Sequence, residues 1–391
     1  MKHIAVLLNG PIVTDSRVIR EIRTMSQANL VDLFYVDGSD SDKSIFNENV
    51  RLFSFAKPEG FKYKLIRNTC FYNEFLFFVP EVIKQGVKYD YIWANDLPDL
   101  KPALQIKRKT GSKVIYDSHE IFIETLNQCF PEKAVIYKQL LYKLCLFIMQ
   151  TFGRMAEKKM LGSVDEFVTT CESYKIFFAA KYKVHNVNIV MNCPMLNYKN
   201  ARYDYRKKYG IPKDGFIVTF QGKLIPARAL EQIIKSFKYV NNNIYLIIVG
   251  DGFLENKLKN IVLENSLSDK IFFTGRISSS DMVGYALGAD VGINLQPNVN
   301  LSKYYGSTNK FFEYMHAALP MIVSDTPENK LIMAKYDMGI FVSNCNDSQK
   351  IAEAINKMSQ MDLSRYKENC KKAAEEYNWE NQEKVMLNLI K

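Results

Sequence analysis

The stretch "FIVTFQGKLIPARALEQII" (residues 216–234) predicts a strand, a turn and a helix in immediate succession. Its first residues are apolar and rich in β-branched side chains, and Gly222 interrupts the run. Apolar residues then return at helical spacing, at Leu230, Ile233 and Ile234. A short apolar run followed by a glycine and an amphipathic segment is typical of one βα unit.

The same rhythm recurs along most of the chain. Before this stretch, apolar runs precede amphipathic segments at "HIAVLL", "VDLFYV", "YDYIWA", "SKVIYD" and "EFVTTC". After it come "IYLIIVGDG", "KIFFTG", "DVGINL", "PMIVSD" and "GIFVS". Repeated βα units build parallel sheets. With a break near residues 194–202, the pattern predicts an α/β fold of two doubly wound, Rossmann-like parallel-sheet domains that face a cleft.

The predicted domains are residues 1–197 and 198–376. Residues 377–391 are predicted to form an amphipathic helix that packs back on the first domain. Ligands of doubly wound sheets bind beyond the carboxyl ends of the strands, so the βα loops are the expected functional positions.

Composition narrows the class of protein. The 391 residues are 47% hydrophobic and 24% charged, as in a globular chain. Seven scattered cysteines without a CxxC pair indicate neither a disulfide framework nor a zinc site, which fits a reducing cytoplasm. The N-terminal apolar run is too short for a signal peptide and predicts a first strand instead.

The net charge of +10 favours anionic partners, namely phosphorylated substrates or anionic lipid. Lysine and arginine are spread over the whole length without a basic arm, so nucleic acid is disfavoured. The segment 131–160 is predicted as a helix packed in the first domain, with an interfacial membrane contact as the alternative. The aromatic stretch 61–78 leaves the same two readings open, so the predicted location is cytoplasmic, either free or peripheral on the inner face of the membrane.

Three predicted helix starts carry a cation where the helix amides are already partly positive. Arg17 follows the cap candidates Asp15 and Ser16. Lys223 follows Gly222, with Arg228 at the predicted start of the next helix. Lys310 follows the cap candidates Ser307, Thr308 and Asn309.

Any one of these cations is ordinarily a solvated side chain. Together, amide-lined helix starts and basic side chains suit phosphate groups. Glu313, on the same helical face as Lys310, can accept the hydroxyls of a ribose. The set predicts a nucleoside diphosphate site. The P-loop pattern GxxxxGK[ST] does not occur in the sequence.

The ordered motifs also resemble a known family. The segments "FQGKL", "RALEQII", "IIVGDGFLENKL", "IFFTGRISSSDMVGYALGADVGINL" and "STNKFFEYMHAALPMIVSD" are similar to the nucleotide-sugar domain of family 4 retaining glycosyltransferases of the GT-B fold. In the first half, "NDLPDL", "YDSHEIFIE" and "NCP" resemble the bacterial polysaccharide-assembly branch of that family.

The resemblance implies a role for each candidate residue. Lys223 and Arg228 would clamp the donor diphosphate, and Glu313 would bind the ribose. The backbone of Arg276 and Ile277 would meet the base. The residues implied to line the phosphate pocket are Gly222, Ser307, Thr308, Asn309 and Lys310. His119 would contact the donor sugar, with a histidine that caps the following helix as the alternative. The residues implied on the acceptor side are Asn9, Gly10, Arg17, Asp96 and Asp117.

The implied activity is sugar transfer, with retention, from a nucleoside diphosphate sugar to a glycan acceptor. A UDP-sugar is the favoured donor and a lipid-linked or cell-surface polysaccharide precursor the favoured acceptor. No cofactor and no metal are expected. The sequence departs from the common Glu-x₇-Glu pattern because Tyr305 stands eight residues before Glu313, which leaves the donor sugar undefined.

Alternatives remain at this level. A non-catalytic sugar-nucleotide or polysaccharide-binding module and a GT-B epimerase or hydrolase would share these motifs. Asp40 and Asp42 in "DGSDSD" form a DxD, which is a manganese site in another glycosyltransferase fold, although the glycines and serines around them favour an ordinary turn.

Overall fold

The computed structural model describes residues 1–57, 74–129, 136–196 and 201–391. These residues form two compact units. The first unit comprises residues 1–191, 300–302 and 382–391, and the second comprises residues 192–299 and 303–381. Residues 61–73 of the aromatic stretch and residues 131–135 of the predicted helix lie outside the described residues.

The first unit contains a seven-stranded sheet. Its strands are β1 (His3–Leu8), β2 (Leu30–Val36), β3 (Val50–Phe55), β4 (Tyr91–Asn95), β5 (Lys113–Ser118), β6 (Glu166–Thr169) and β7 (Val187–Ile189). They pair in the order β3-β2-β1-β4-β5-β6-β7, and every pairing is parallel. The order reverses between β1 and β4, so the loops after these two strands flank a topological switch point, where ligands of such sheets bind.

Helices connect these strands. They are α1 (Ser16–Met25), α2 (Phe78–Ile83), α3 (Asp96–Thr110), α4 (Phe122–Thr125), α5 (Ile136–Leu161) and α6 (Glu172–Tyr182). Short 3₁₀ turns cover Ile12–Thr14, Asp40–Ile45 and Leu126–Cys129. Asp15 caps α1 as expected, because its carboxylate accepts the amides of Arg17 and Val18, each at 3.1 Å.

The second unit contains a six-stranded sheet. Its strands are β8 (Phe216–Gln221), β9 (Ile244–Val249), β10 (Ile271–Gly275), β11 (Val291–Asn294), β12 (Met321–Ser324) and β13 (Gly339–Val342). They pair in parallel in the order β10-β9-β8-β11-β12-β13. The switch point lies between β8 and β11, so the loops that begin at Gly222 and Leu295 flank it.

The second unit is completed by ten helices among its described residues, two of which continue from or into the first unit. They are α7 (Tyr205–Tyr209), α8 (Leu230–Ser236), α9 (Glu255–Glu264), α10 (Met282–Leu287), α11 (Leu301–Tyr305), α12 (Asn309–His316), α13 (Pro327–Lys335), α14 (Ser348–Ser359), α15 (Ser364–Glu376) and α16 (Trp379–Leu389). A 3₁₀ turn covers Ser279–Asp281. The buried faces of α8, α9 and α14 pack with the apolar strands into one core.

The predicted α/β class with two parallel-sheet domains is confirmed. The last ten residues belong to the first unit. There the Met191 amide donates to Gln382 Oε1 at 2.8 Å, and the Tyr91 hydroxyl donates to the Lys391 carbonyl at 2.6 Å. Two strands of the first sheet, β3 and β7, are additional to those that the sequence pattern predicted.

Candidate functional site

The loop after β8 holds Arg228 in a special backbone conformation. Its neighbours Ala227 and Ala229 have φ angles of 62° and 51°, a left-handed region that alanine rarely adopts. The helix α8 begins only at Leu230, so the prediction that Arg228 starts this helix is wrong. Left-handed residues other than glycine cluster at ligand sites because the surrounding structure fixes them there.

Glycine is required where this loop meets its neighbours. A side chain at Gly222, whose φ is 126°, would put its Cβ 2.9 Å from Arg228 Nη1 and 3.8 Å from Lys310 Cε. A Cβ at Gly250, after β9, would lie 2.2 Å from the Gly222 carbonyl oxygen. The two glycines therefore allow both cations to converge on the half-buried backbone at the end of β8.

Lys310 lies at the second position of α12 and is only 4% exposed. Its Nζ is 3.9 Å from the centroid of the Phe220 ring, so the ring face contacts the cation. Burial, with help from the charge of Arg228, holds the pKa of Lys310 well below its usual range, and Glu313 opposes this shift. Burial likewise lowers the pKa of Arg228, again against the charge of Glu313. A buried lysine beside a half-buried arginine, with both protonated forms disfavoured by burial, is suited to binding an anion.

The start of α12 offers amides to a ligand. Its N-cap residue, Thr308, makes no side-chain hydrogen bond to the helix amides, because its Oγ1 donates to Asn294 Oδ1 at 3.1 Å. Ser307 Oγ is buried without a hydrogen-bond partner in the described part of the chain. The side chain of Asn309 accepts from Asn192 Nδ2 at 2.9 Å and so faces "NCP". A helix start without a side-chain cap, next to an unpartnered hydroxyl, favours a phosphate group.

The other donor-site candidates are spread more widely. Glu313 is half-buried one turn after Lys310. The following residue, Tyr314, fixes the end of β8, because its hydroxyl accepts the Gln221 amide at 3.0 Å. Lys223 and Arg276 are exposed and Ile277 is half-buried. The structure thus brings Gly222, Arg228 and Lys310 together, with Lys223 on the same loop, whereas Arg276 and Ile277 follow β10 on a separate strand end.

In the first unit, Arg17 is enclosed by protein groups. Its Nη2 donates to both oxygens of Asp117 at 2.8 and 2.9 Å, and its Nε lies 2.8 Å from Glu21 Oε1. The guanidinium also donates to the Val190 carbonyl. All three charged side chains are buried. The expected ligand-facing cation is therefore an internal ion-pair centre that positions Asp117.

His119 lies among three carboxylates. Its Nε2 is 3.6 Å from Asp117 Oδ2, and its Nδ1 is 3.6 Å from Asp96 Oδ2 and 4.0 Å from Asp15 Oδ2. Burial alone would lower the pKa of His119, but Asp96 and Asp117 raise it to about 10. The imidazole is therefore a fixed cation at neutral pH. Burial raises the pKa of Asp96 to about 6, although His119 opposes that shift.

Asn9 and Asp96 organise the switch point of the first sheet. Asn9 donates from its amide and from its Nδ2 to Asp99 Oδ2, at 3.0 and 2.8 Å. Asp96 adopts a left-handed φ of 63° and accepts the His119 amide at 2.9 Å. Gly10 is half-buried, and a Cβ there would have no atom within 4 Å. The loops after β1, β4 and β5 thus form one polar network.

Among the described residues, one cluster offers three possible metal ligands. Ligand atoms of Glu21, Asp117 and His119 lie within 4.8 Å of one another. The Arg17 guanidinium, however, is bonded to both acids, and a cation already stands where a metal would bind. Asp42 of the DxD is buried. It accepts from Ser39 at the start of its own turn and from the Tyr35 hydroxyl of β2, which fits the turn interpretation.

Three functional neighbours were not predicted. Glu21 lies four residues after Arg17, at the helical spacing that pairs charges. Asp99 lies one turn after Asp96, and Phe220 stands two residues before Gly222 in β8. The spacing could have indicated the two acids. The pairing of Phe220 with Lys310 joins residues distant in the sequence, and local periodicity carries no signal for it.

Sequence comparison defines the class of the second unit. The family profile "Glycosyl transferases group 1" matches residues 201–377. An O-antigen biosynthesis glycosyltransferase, WclY of Escherichia coli, is 24% identical over 129 residues, which cover 33% of this chain and 34% of WclY. A lipopolysaccharide core biosynthesis glycosyltransferase, LpsD of Rhizobium meliloti, is 27% identical over 147 residues, which cover 38% and 40% of the two chains. The chain thus spans about two fifths or less of the length of these relatives.

Solved structures share the fold of the whole chain. Sucrose-phosphate synthase from Thermosynechococcus elongatus is 17% identical with a TM-score of 0.76, covering 100% of this chain and 98% of that one. HepE of Anabaena, solved in complex with UDP and glucose, is 13% identical with a TM-score of 0.72, covering 100% and 99%. The GT-B fold class is confirmed.

Residues 201–377 match the glycosyl transferase group 1 profile, and the resemblance to glycosyltransferases is confirmed at that level. Assignment to family 4 stays a prediction. Among the described residues, the structure contains no helix with the length and apolarity needed to cross a bilayer.

Proposed function

We propose that this protein transfers a sugar from a nucleoside diphosphate sugar to a glycan acceptor. The observation that carries the proposal is the convergence of Arg228 and Lys310 on Gly222, beside the uncapped start of α12. Partly or fully buried cations and a helix start without a side-chain cap, at the carboxyl end of a parallel sheet, suit a diphosphate. The group 1 profile over the same residues supports the proposal.

The proposed roles follow from the chemistry of a departing diphosphate. Negative charge builds on the leaving phosphate oxygen as the bond to the sugar breaks. Arg228, Lys310, Lys223 and the α12 amides stabilise that charge without reorganising, which is often the largest contribution to catalysis. The acceptor hydroxyl forms the new glycosidic bond and gives its proton to the leaving phosphate oxygen. Retention of configuration rests on the family resemblance alone.

The identities of the donor and the acceptor are proposed from the relatives rather than from the geometry of the site. HepE was solved with UDP, which favours UDP for this chain without excluding another base. WclY and LpsD are named for O-antigen and lipopolysaccharide core biosynthesis, which favours a polysaccharide precursor, lipid-linked or at the cell surface. With such an acceptor, the protein would carry out the transfer at the cytoplasmic face of the membrane. Roles of Glu313 at the ribose and of His119, Asp96 and Asp117 at the sugar and acceptor stay predictions.

A ligand screen followed by product analysis tests the proposal. Thermal shifts with UDP, GDP, ADP and their sugars identify the donor. Mass spectrometry of products should then show free nucleoside diphosphate and an elongated acceptor, in excess EDTA as well as without it. An altered sugar nucleotide would instead support an epimerase, and binding without turnover a binding module.

Variants connect the activity to the site. We expect Arg228→Ala or Lys223→Ala to lower turnover at least about tenfold, or roughly 1.4 kcal/mol. Lys235→Ala, an exposed lysine in the last turn of α8, is the matched control and should keep full turnover. Wild-type turnover of the Arg228 and Lys223 variants would contradict the assignment of this loop to the donor site.

A further inference from the structure

The outer face of α5 is apolar and exposed. Large apolar side chains project to solvent from Leu140 to Met155, with Phe147 67% and Phe152 60% exposed. At 100° per residue, these side chains fall within an arc of roughly 140°. Single exposed apolar residues are common on protein surfaces, whereas a continuous exposed apolar stripe indicates a binding surface.

The opposite face of α5 anchors the helix to the first unit. Glu157 is fully buried and accepts from the Tyr182 hydroxyl at 2.5 Å. Arg154 Nη2 donates to Glu124 Oε1 at 2.7 Å, and the helix packs on α3 and α4. The helix is therefore held firmly, and its apolar stripe faces away from the core.

Charges on α5 have one sign. Its 26 residues include four lysines and Arg154, whereas Glu157 is the one acidic residue in the segment and is buried. Exposed Lys143 borders the stripe, and exposed Lys158 and Lys159 lie at its C-terminal end. The exposed charged side chains of this helix are thus all cations, and they accompany the apolar stripe.

A cationic cavity adjoins the stripe. It has a volume of about 650 Å³ between α3 and the C-terminal end of α5. Its basic lining residues are Lys101, Lys107, Arg108 and Lys159, and Leu104 and Met160 are among its apolar ones. Lys107 is paired with Asp165 at 2.7 Å. Burial and the charge of Arg108 lower the pKa of Lys101, as expected where cations crowd together.

We infer that the stripe on α5 and the adjoining cavity form a docking surface for an anionic lipid bilayer. Phe147, Phe152 and their neighbours enter the boundary between headgroups and acyl chains, while the cavity cations meet lipid phosphates. Such a helix lies in the plane of the interface. A second copy of this chain would bring lysines against lysines, so charge complementarity favours lipid. The inference rests on the proposed function only for the reason why the protein would bind a membrane. Its test measures vesicle binding and needs no transferase activity.

Vesicle flotation at physiological salt tests the docking surface. The full chain should float with vesicles of phosphatidylcholine and phosphatidylglycerol and stay in solution with phosphatidylcholine alone. The double variants Phe147→Ser/Phe152→Ser and Arg108→Glu/Lys159→Glu should each lower the bound fraction at anionic vesicles by about tenfold or more. Thermal unfolding of each variant verifies that it is folded.

Matched controls lie in the second unit. Phe253→Ser/Leu263→Ser removes two equally exposed apolar side chains, and Arg365→Glu/Lys371→Glu reverses two exposed cations. Both should bind vesicles like the wild type. Equal loss in the controls, or equal flotation with neutral vesicles, would overturn the proposal. So would a dimer in sedimentation velocity that Phe147→Ser/Phe152→Ser dissociates, because a second copy would then cover the stripe.

Discussion

The two units place similar sequence patterns, a cation next to a strand-to-helix loop, in opposite surroundings. In the first unit, Arg17 is neutralised by Asp117 and Glu21. In the second, Lys310 stands over the Phe220 ring with Arg228 nearby. The pKa values differ accordingly. Neighbouring carboxylates raise the pKa of His119, whereas burial lowers the pKa of Lys310. The first arrangement pairs its cation directly with carboxylates, whereas in the second burial outweighs the charge of Glu313.

The largest expected effect breaks the first arrangement. Arg17→Met leaves Asp117 buried without its cation, and removal of one partner from a buried ion pair typically costs about 3–5 kcal/mol of folding stability. Urea unfolding measures the difference. Lys310→Met removes a buried cation from an apolar position and should leave the free energy of unfolding unchanged or higher. Equal destabilisation by both substitutions would contradict the comparison.

A second prediction uses the pH dependence of the first unit. The folded pKa of His119 is about 10, against 6.5 for an ordinary histidine. Its protonation therefore stabilises the fold fully below pH 6.5, and that contribution is lost as the pH rises toward 10. His119→Gln should thus destabilise more at pH 6 than at pH 9, by at most about 3 kcal/mol at roughly 1.4 kcal/mol per unit.

The measurement is a pair of denaturant titrations at the two pH values, with His185→Gln as a control for general histidine effects. An NMR titration adds an independent readout, since the imidazole signals of His119 should not titrate through pH 6.5. A pH-independent difference between the wild type and His119→Gln would show that the carboxylates do not hold the proton there.

A third prediction concerns the binding of an anion by the second unit. Lys310→Met should weaken UDP binding by at least about tenfold, roughly 1.4 kcal/mol, while the protein stays folded. Isothermal titration calorimetry gives the dissociation constant. Lys257→Met, an exposed lysine of α9 in the same unit, should bind UDP like the wild type. Unchanged affinity in Lys310→Met would remove Lys310 from the phosphate site and leave Arg228 to be tested alone.

The smallest effect is proton uptake. The pKa of Lys310 is lowered in the free protein by burial and Arg228, and Arg228 and Glu313 are the charged groups that act on it. A diphosphate should raise that pKa again, so binding takes up a fraction of a proton and UDP affinity falls as the pH rises. Calorimetry in two buffers of different ionisation enthalpy measures the uptake. The uptake should vanish in Lys310→Met, and uptake of equal size in that variant would assign the proton elsewhere.

Much of the fold was predictable because most strands are buried on both faces and therefore appear as continuous apolar runs. The two missed strands, β3 and β7, lie at the edges of the first sheet. In β3, "VRLFSF", every position is half-buried or exposed, and β7 has only three residues. Edge strands need less apolar sequence, so their pattern is weak.

The site was predictable only in part. Motif order indicated Gly222, Arg228 and Lys310, and the structure brings them together. The fate of Arg17 was not predictable from its own segment, because the neutralising Asp117 lies a hundred residues away. Likewise, the left-handed alanines that carry Arg228 contradict local propensity. Tertiary context determines these conformations, and a single sequence does not display it.

The contact between Lys310 and Phe220 has a consequence for the speed and selectivity of binding. A solvated lysine samples many rotamers, and fixing one on binding typically costs about 0.5–1.5 kcal/mol. Here the ring and the surrounding core already hold the chain in one place. Most of that ordering happens once, during folding, rather than at each encounter with a ligand. The Lys310 side chain is thus held in one geometry before a ligand arrives. It cannot move to reach a ligand whose negative charge lies elsewhere.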